Sequence, residues 1–154
     1  MKSAQCSFCA KVYRYRPNKR YCSDKCRFQA WIRGKVEPDV TPCYYCGMPA
    51  DTIDHVPPRC VRADLMHLNE KRWAFVEVDA CHECNCLLGA SPPWTIHERK
   101  KKIKEKLKKR YRKYMKLPDW TDQEMEGLDE KSVLRKYVHE GMILKRATQQ
   151  RLAW

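Results

Sequence analysis

The sequence is short of acid, of glycine and of apolar length. Its 154 residues hold 19 Asp and Glu against 32 Lys and Arg, with five glycines and three phenylalanines. The acid deficit leaves a formal net charge of +13, which argues against a cationic partner and for a polyanion. No apolar stretch approaches the roughly 18 residues that a membrane span needs. Residues 1–30 lack a continuous apolar run, so a secretory signal is not expected. Beyond two cysteine units there is no internal repeat, and no low-complexity tail. Mean hydropathy is −0.79. One domain or two very small ones are expected at this length, with a core thin enough to need staples.

Cysteine is what the chain has in excess, with ten residues. In a soluble, reducing compartment, cytoplasmic by expectation, such residues favour thiolate–metal sites over disulfides. Eight fall into pairs. Cys6-x2-Cys9 is followed after twelve residues by Cys22-x3-Cys26, and Cys43-x2-Cys46 is answered by Cys81-x2-Cys84. Each set of four can close one tetrahedral Zn²⁺ site. Cys60 and Cys86 have no pairing logic and read as buried thiols, although Cys86 could compete with Cys84 for a fourth position.

The charge is segregated. Residues 1–36 carry ten basic side chains and one acid, and 95–116 carry twelve and two. Between them, residues 37–94 hold four basic and nine acidic side chains. Two cationic arms around a mildly acidic centre suit a protein that grips a phosphate backbone. Arg14, Arg16, Lys19 and Arg20 are the candidates in the first arm. Arg99, Lys102, Lys106, Lys109, Arg110 and Lys113 are those in the second. A membrane-surface helix would need a wider apolar face than this arm offers.

Local signals divide the chain into three parts. In residues 1–36, a knuckle at Cys6–Cys9 leads to a hairpin through Tyr13–Arg16, a turn at Pro17-Asn18-Lys19, and a helix from Asp24 to Arg33 stopped by Gly34. Residues 35–42, with two prolines, read as a linker. In residues 40–90, Thr52–Val56 and Phe75–Val78 are expected to be strands. Asp79 is expected to cap a helix that ends at Gly89 and carries Cys81, Cys84 and Asn85. Residues 59–74 are read as a connection. In residues 95–154, Thr95-Ile-His-Glu98 and Thr121-Asp-Gln-Glu124 read as capping boxes. The first opens a helix to about Met115 with an apolar stripe of Ile96, Ile103, Leu107, Tyr111 and Tyr114. The second opens a short helix ending at Gly127. A longer helix is expected over Glu130–Leu152, burying Val133, Leu134, Tyr137, Val138, Met142, Ile143 and Leu144. The fold class that follows is a small zinc-stapled α+β protein, with a zinc module, a central ββα unit and a helical extension. The C-terminal helices, with Trp120 and Trp154 at their ends, either pack on the core or form a homodimer.

Between the second set of cysteines lies Asp54-His55, and Asn85 directly follows Cys84. Phosphodiester hydrolysis needs an activated water, a base and positive charge on the phosphorane. A neutral imidazole at His55 suits the base. Asp54 and Asn85 offer oxygen ligands of the kind that hold Mg²⁺ or Mn²⁺. The dull readings are a strand-edge Asp54, a structural His55 and an ordinary helix residue at Asn85. The bracketing by zinc pairs weighs against them. Glu83, His82, His67, His97 and His139 lack such bracketing and read as surface or structural residues.

Cys43-x2-Cys46, Asp54-His55-Val-Pro-Pro and Cys81-x2-Cys84-Asn85 together resemble the HNH, or ββα-metal, endonucleases. They are most similar to the phage type that includes the endonuclease VII group. The Arg20-Tyr-Cys-Ser-Asp-Lys-Cys26-Arg27 stretch resembles treble-clef or ribbon zinc modules. The first resemblance covers roughly residues 40–90 and implies a metal-dependent DNA endonuclease or nickase, encoded by a phage and acting in a bacterial host. It implies Asp54 and Asn85 as ligands of the catalytic cation and His55 as base. In many HNH proteins an Asn about five residues before the third zinc cysteine orients the histidine. Here that slot is Val76, and the nearest Asn is Asn69. The other reading is a zinc-containing DNA-binding regulator that keeps the scaffold without catalysis.

Overall fold

The computed structural model describes residues 2–15, 20–34, 40–68 and 75–154. The expected turn at Pro17–Lys19, Arg16, Asn69 and most of the linker lie outside the described residues.

The N-terminal part is a hairpin and a helix around four cysteines. Strand β1 (Ser3–Gln5) pairs antiparallel with β2 (Val12–Arg14), and the knuckle Cys6–Cys9 turns between them. Helix α1 (Asp24–Ile32) is capped by Ser23, whose hydroxyl accepts from the Cys26 amide at 3.3 Å. It stops at Gly34, whose φ of +61° favours a residue without Cβ.

The central part is a hairpin followed by a helix. Strand β3 (Thr52–Val56) pairs antiparallel with β4 (Val76–Ala80) in unbroken register, with Asp54 opposite Val78 and His55 opposite Glu77. Side chains alternate along a strand, so Thr52, Asp54 and Val56 share one face with Val76, Val78 and Ala80. Asp54, Val56 and Ala80 are buried, whereas Ile53 on the other face is exposed. Helix α3 (His82–Leu88) is capped by Cys81 rather than by Asp79, which lies within β4. A sulfur at the cap accepts from the Cys84 amide at 3.5 Å and so serves both the helix and the cysteine cluster. The connection after β3 is not a plain loop, because α2 (Arg59–Leu68) follows Pro57-Pro58 directly.

Four helices complete the chain: α4 (Ile96–Arg110), α5 (Arg112–Met115), α6 (Asp122–Glu126) and α7 (Val133–Ala153). The box at Thr121–Glu124 is formed. The one expected at Thr95 is not: its hydroxyl bonds the Glu98 carboxylate at 2.5 Å and caps no backbone amide. Helix α7 starts at Ser132, later than expected, and buries a different face. Val138 is buried, but Val133, Leu134 and Tyr137 are 82%, 52% and 65% exposed. The buried face is built from Gly141, Lys145, Ala147, Thr148 and Arg151. Lys145 reaches it because its ammonium bonds the Leu117 carbonyl at 2.7 Å and lies 2.8 Å from Asp119. Gly141 admits Leu117 so closely that a Cβ there would lie 2.6 Å from its Cδ1.

All three parts meet in one core. The four central cysteines, Tyr45, Met48, Ala80 and Leu88 pack with Ile103 and Leu107 of α4, and Phe28, Trp31 and Leu152 close over them. Burying Ile103 and Leu107 stabilises the assembly by about 1.5–3 kcal/mol each. Arg27 of α1 pairs with Asp51, which also accepts from the His82 amide at 2.7 Å. The N-terminal module is thus pinned to the start of α3.

Candidate functional site

Cys43 and Cys46 come from a tight knuckle, and Cys81 and Cys84 from the first turn of α3. The knuckle closes through the Gly47 amide on the Cys43 carbonyl at 2.9 Å, and Gly47 has a φ of +69°. The Tyr44 amide bonds the Asp79 carbonyl at 2.8 Å and ties the knuckle to β4. All four thiols are fully buried, with their sulfurs within 4.8 Å of one another and Cys46 3.7 Å from Cys81. A tetrahedron of Zn–S bonds of about 2.3 Å spaces its sulfurs about 3.8 Å apart, so this donor set fits a zinc ion. Cys6, Cys9, Cys22 and Cys26 form a second cluster, with Cys22 3.6 Å from Cys9 and 3.5 Å from Cys26. Burial works against the Cys6 thiolate, but bonds from the backbone at Cys22, Cys9 and Phe8 outweigh it and lower its pKa to about 6. Burial instead pushes Cys26 of the same cluster up to about 12, so the four sulfurs do not ionise alike without a cation to hold them.

Four thiolates around Zn²⁺ carry a net charge of about −2, which a buried site must offset. Arg151 of α7 lies there, 1% exposed, with Nη2 3.9 Å from Cys84 Sγ and 2.8 Å from Glu83. Glu83 also accepts from Arg110 at 3.0 Å and from the Tyr111 hydroxyl at 2.9 Å. Burial, then the Glu83 charge, pushes the Tyr111 phenol up to about 12. Glu83 is therefore a partner of cations around the cluster. Cys86 is exposed beside His82, 3.6 Å from its Nε2, and Cys60 is exposed on α2.

Asp54 stands on the buried face of β3, 4% exposed. Arg99 closes on it with two bonds, Nε to Oδ2 at 3.1 Å and Nη2 to Oδ1 at 3.3 Å. Tyr45 donates its hydroxyl to Oδ2 at 2.6 Å, and burial followed by this bond raises the phenol pKa well above its ordinary value. The remaining guanidinium donors reach the carbonyls of Gly89, Ser91 and Pro93. Asn85 turns its amide nitrogen to the Thr52 hydroxyl and the Ile53 carbonyl, both at 3.2 Å. This donor set does not fit a divalent cation, which would lie against the Arg99 guanidinium. Among the described residues, the groups of three or more His, Cys, Asp and Glu close enough to hold a metal are the two cysteine clusters.

His55 faces the other way. Its Nε2 lies 3.1 Å from Glu77 Oε1 across the hairpin, off the hydrogen-bonding direction, so this nitrogen makes no hydrogen bond. Arg59 lies on the far side of the same carboxylate, 3.9 Å away. His55 stands four residues before the start of α2, whose first turn holds Arg59 and Arg62 and no acid.

The cations expected to meet a phosphate backbone divide. Arg99 is fully buried on Asp54 and is not a surface residue. It sits on the helix's apolar stripe, three after Ile96 and four before Ile103, and that register was the signal for its burial. Lys106 bonds the Leu87 carbonyl at 2.7 Å, and Arg110 is held by Glu83. Lys102 pairs with Glu105 at 3.2 Å, and Lys113 lies 4.7 Å from the Tyr114 ring. Lys109 and Arg14 are exposed, and Arg20 is half-buried. Tyr45, Glu77, Glu83 and Arg151 had no signal in local spacing, since each acts on a partner brought in by the fold. No helix among the described residues is long and apolar enough to cross a membrane. No family, curated protein or solved structure matches the chain.

Proposed function

We propose that this chain is a DNA endonuclease of the HNH type, with His55 as general base. The observation that carries the reading is the setting of His55. It lies on the hairpin face opposite Asp54, in a hairpin pinned by a cysteine cluster, with its side chain 21% exposed and Nε2 buried beside Glu77 without a hydrogen-bond partner. Next to it begins a helix with two arginines and no acid in its first turn. Backbone amides and arginines at a helix N-terminus attract a phosphodiester. His55 then takes the proton from a water whose oxygen bonds to that phosphorus, the ester P–O bond opposite breaks with its oxygen protonated from solvent, and Arg59 and Arg62 face the charge that develops on the phosphate oxygens.

Asp54 serves this reading as an anchor rather than as a cation ligand. Its bonds to Arg99 fix strand β3 against α4, which sets where His55 points. The same ion pair favours the second reading, a DNA-binding protein without catalysis, because it occupies the carboxylate that a metal nuclease would use.

Supercoiled plasmid incubated with wild type and with His55→Ala, in Mg²⁺ and in Mn²⁺, tests the proposal. Relaxed or linear product from wild type alone supports it. A gel shift by both proteins with no cleavage in either metal overturns it and leaves the binding protein.

A further inference from the structure

Six of the nine cations of α4 form two contrasting sets. Arg99, Lys106 and Arg110 turn toward the protein and are consumed by Asp54, the Leu87 carbonyl and Glu83. Lys101, Lys104 and Lys108 make no hydrogen bond, ion pair or ring contact with any described residue. At about 100° per residue they stand about 160°, 140° and 180° round the helix from Arg99, and Lys101 and Lys108 lie about 10 Å apart along it. They form one stripe of like charges, Lys101 and Lys108 exposed and Lys104 half-buried, and the neighbouring Glu105 is paired with Lys102 rather than with any of the three.

The direction of this stripe is fixed. Arg99 reaches Asp54, so α4 lies on the Asp54 side of the hairpin. His55 is the next residue on an unbroken strand and faces the opposite side. The lysines point away from Arg99 and therefore away from both Asp54 and His55. We infer that Lys101, Lys104 and Lys108 form a second nucleic-acid backbone surface, separate from the one at His55, so that one chain holds two backbone segments at once. This rests on the proposed action on DNA. The stripe spans about three base steps of one strand at 3.4 Å each. A lipid surface suits it less, because no aromatic or aliphatic side chain stands among the three lysines to enter a bilayer.

The test uses the full chain with His55→Ala, which cuts no strand, and the same chain also carrying Lys101→Gln, Lys104→Gln and Lys108→Gln. Glutamine keeps the helix propensity of lysine, and circular dichroism and zinc content check the fold. Two readouts are taken: the salt dependence of binding to a short duplex, and energy transfer between donor-labelled and acceptor-labelled duplexes brought together by the protein. The expected result is that the parent bridges the duplexes and the triple variant does not. The slope of log affinity against log salt is expected to fall by about 2.7 in magnitude, roughly 0.9 for each lost contact. An unchanged slope, or bridging that survives the substitutions, overturns the inference. So does loss of binding to phosphatidylserine vesicles with DNA binding intact, which would assign the stripe to a membrane. Neither readout needs cleavage, so a wild type that bridges but does not cut defeats the nuclease reading alone.

Discussion

Arg99 and Asp54, 45 residues apart in sequence, form a buried ion pair that joins the central hairpin to the basic helix, with Nε and Oδ2 3.1 Å apart and side chains 0% and 5% exposed. Breaking such a pair from one side leaves an uncompensated charge in the interior. Arg99→Ala is expected to cost about 3–5 kcal/mol. Removing both charges with Asp54→Asn and Arg99→Met is expected to cost less than Arg99→Ala alone, since no orphaned charge remains. Urea denaturation of Asp54→Asn, Arg99→Met and the double variant gives the coupling directly. If Asp54→Asn leaves the midpoint unchanged, the pair does not hold the fold and Asp54 is free for another task.

How much of this was legible follows from the reach of each signal. The two cysteine clusters, strand β3, the start of α1 at Asp24, the capping box at Thr121 and the stop at Gly89 are set by residues within a few positions of each other, and they stand where the pattern places them. What failed was direction. Asp54 reads as a ligand from its own neighbourhood, whereas the Arg99 that pairs with it comes from a separate element. Val133, Leu134 and Tyr137 form a good helical stripe, yet Gly141, Lys145 and Thr148 win the buried face. Leu117 needs the space that Gly141 leaves, and the Leu117 carbonyl and Asp119 satisfy the lysine. Polar residues with such partners are invisible to a hydrophobic count.

Trp154 lies on the Cys43–Gly47 knuckle. Its indole donates to the Tyr44 carbonyl at 3.2 Å, and a Cβ at Gly47 would come within 2.7 Å of its ring. Gly47→Ala therefore meets two obstacles, the ring and a φ of +69°. The backbone strain is worth about 1–3 kcal/mol. A combined Gly47→Ala and Trp154→Ala variant relieves the collision and keeps the strain. Thermal denaturation is expected to show Gly47→Ala less stable than wild type by more than Trp154→Ala is. An unaffected melting point in Gly47→Ala would show that the knuckle tolerates another shape.

Arg151 and Trp154 grip the two halves of the central cluster, one at Cys84 and the other at Tyr44. Removing zinc leaves neutral thiols and takes away the charge that Arg151 answers. A strong chelator is expected to raise amide exchange across residues 145–154 together with residues 43–48 and 81–84. Arg151→Ala is expected to raise exchange in the helix end even with zinc bound. Exchange at 145–154 that ignores the chelator would mean that the helix docks on apolar contacts alone.

If the chain works as proposed, Glu77 is the residue placed to do what the asparagine does in many HNH proteins. The family pattern puts the residue that orients the histidine at Val76, whose side chain lies on the face opposite His55. The neighbouring Glu77 is directly across the hairpin from His55, with its carboxylate 3.1 Å from Nε2. Under the proposed function, Glu77 would act on His55 by the charge of this close approach rather than by a hydrogen bond. Glu77→Gln keeps the size of the side chain and loses the charge. Cleavage by this variant is expected to fall about tenfold or more in kcat with KM little changed, because the loss is of orientation in the transition state. Glu77→Asp, which retains the charge on a shorter arm, is expected to recover part of it. A Glu77→Gln enzyme with full kcat would show that His55 is oriented by something else. A rise in KM alone would place Glu77 at the DNA surface.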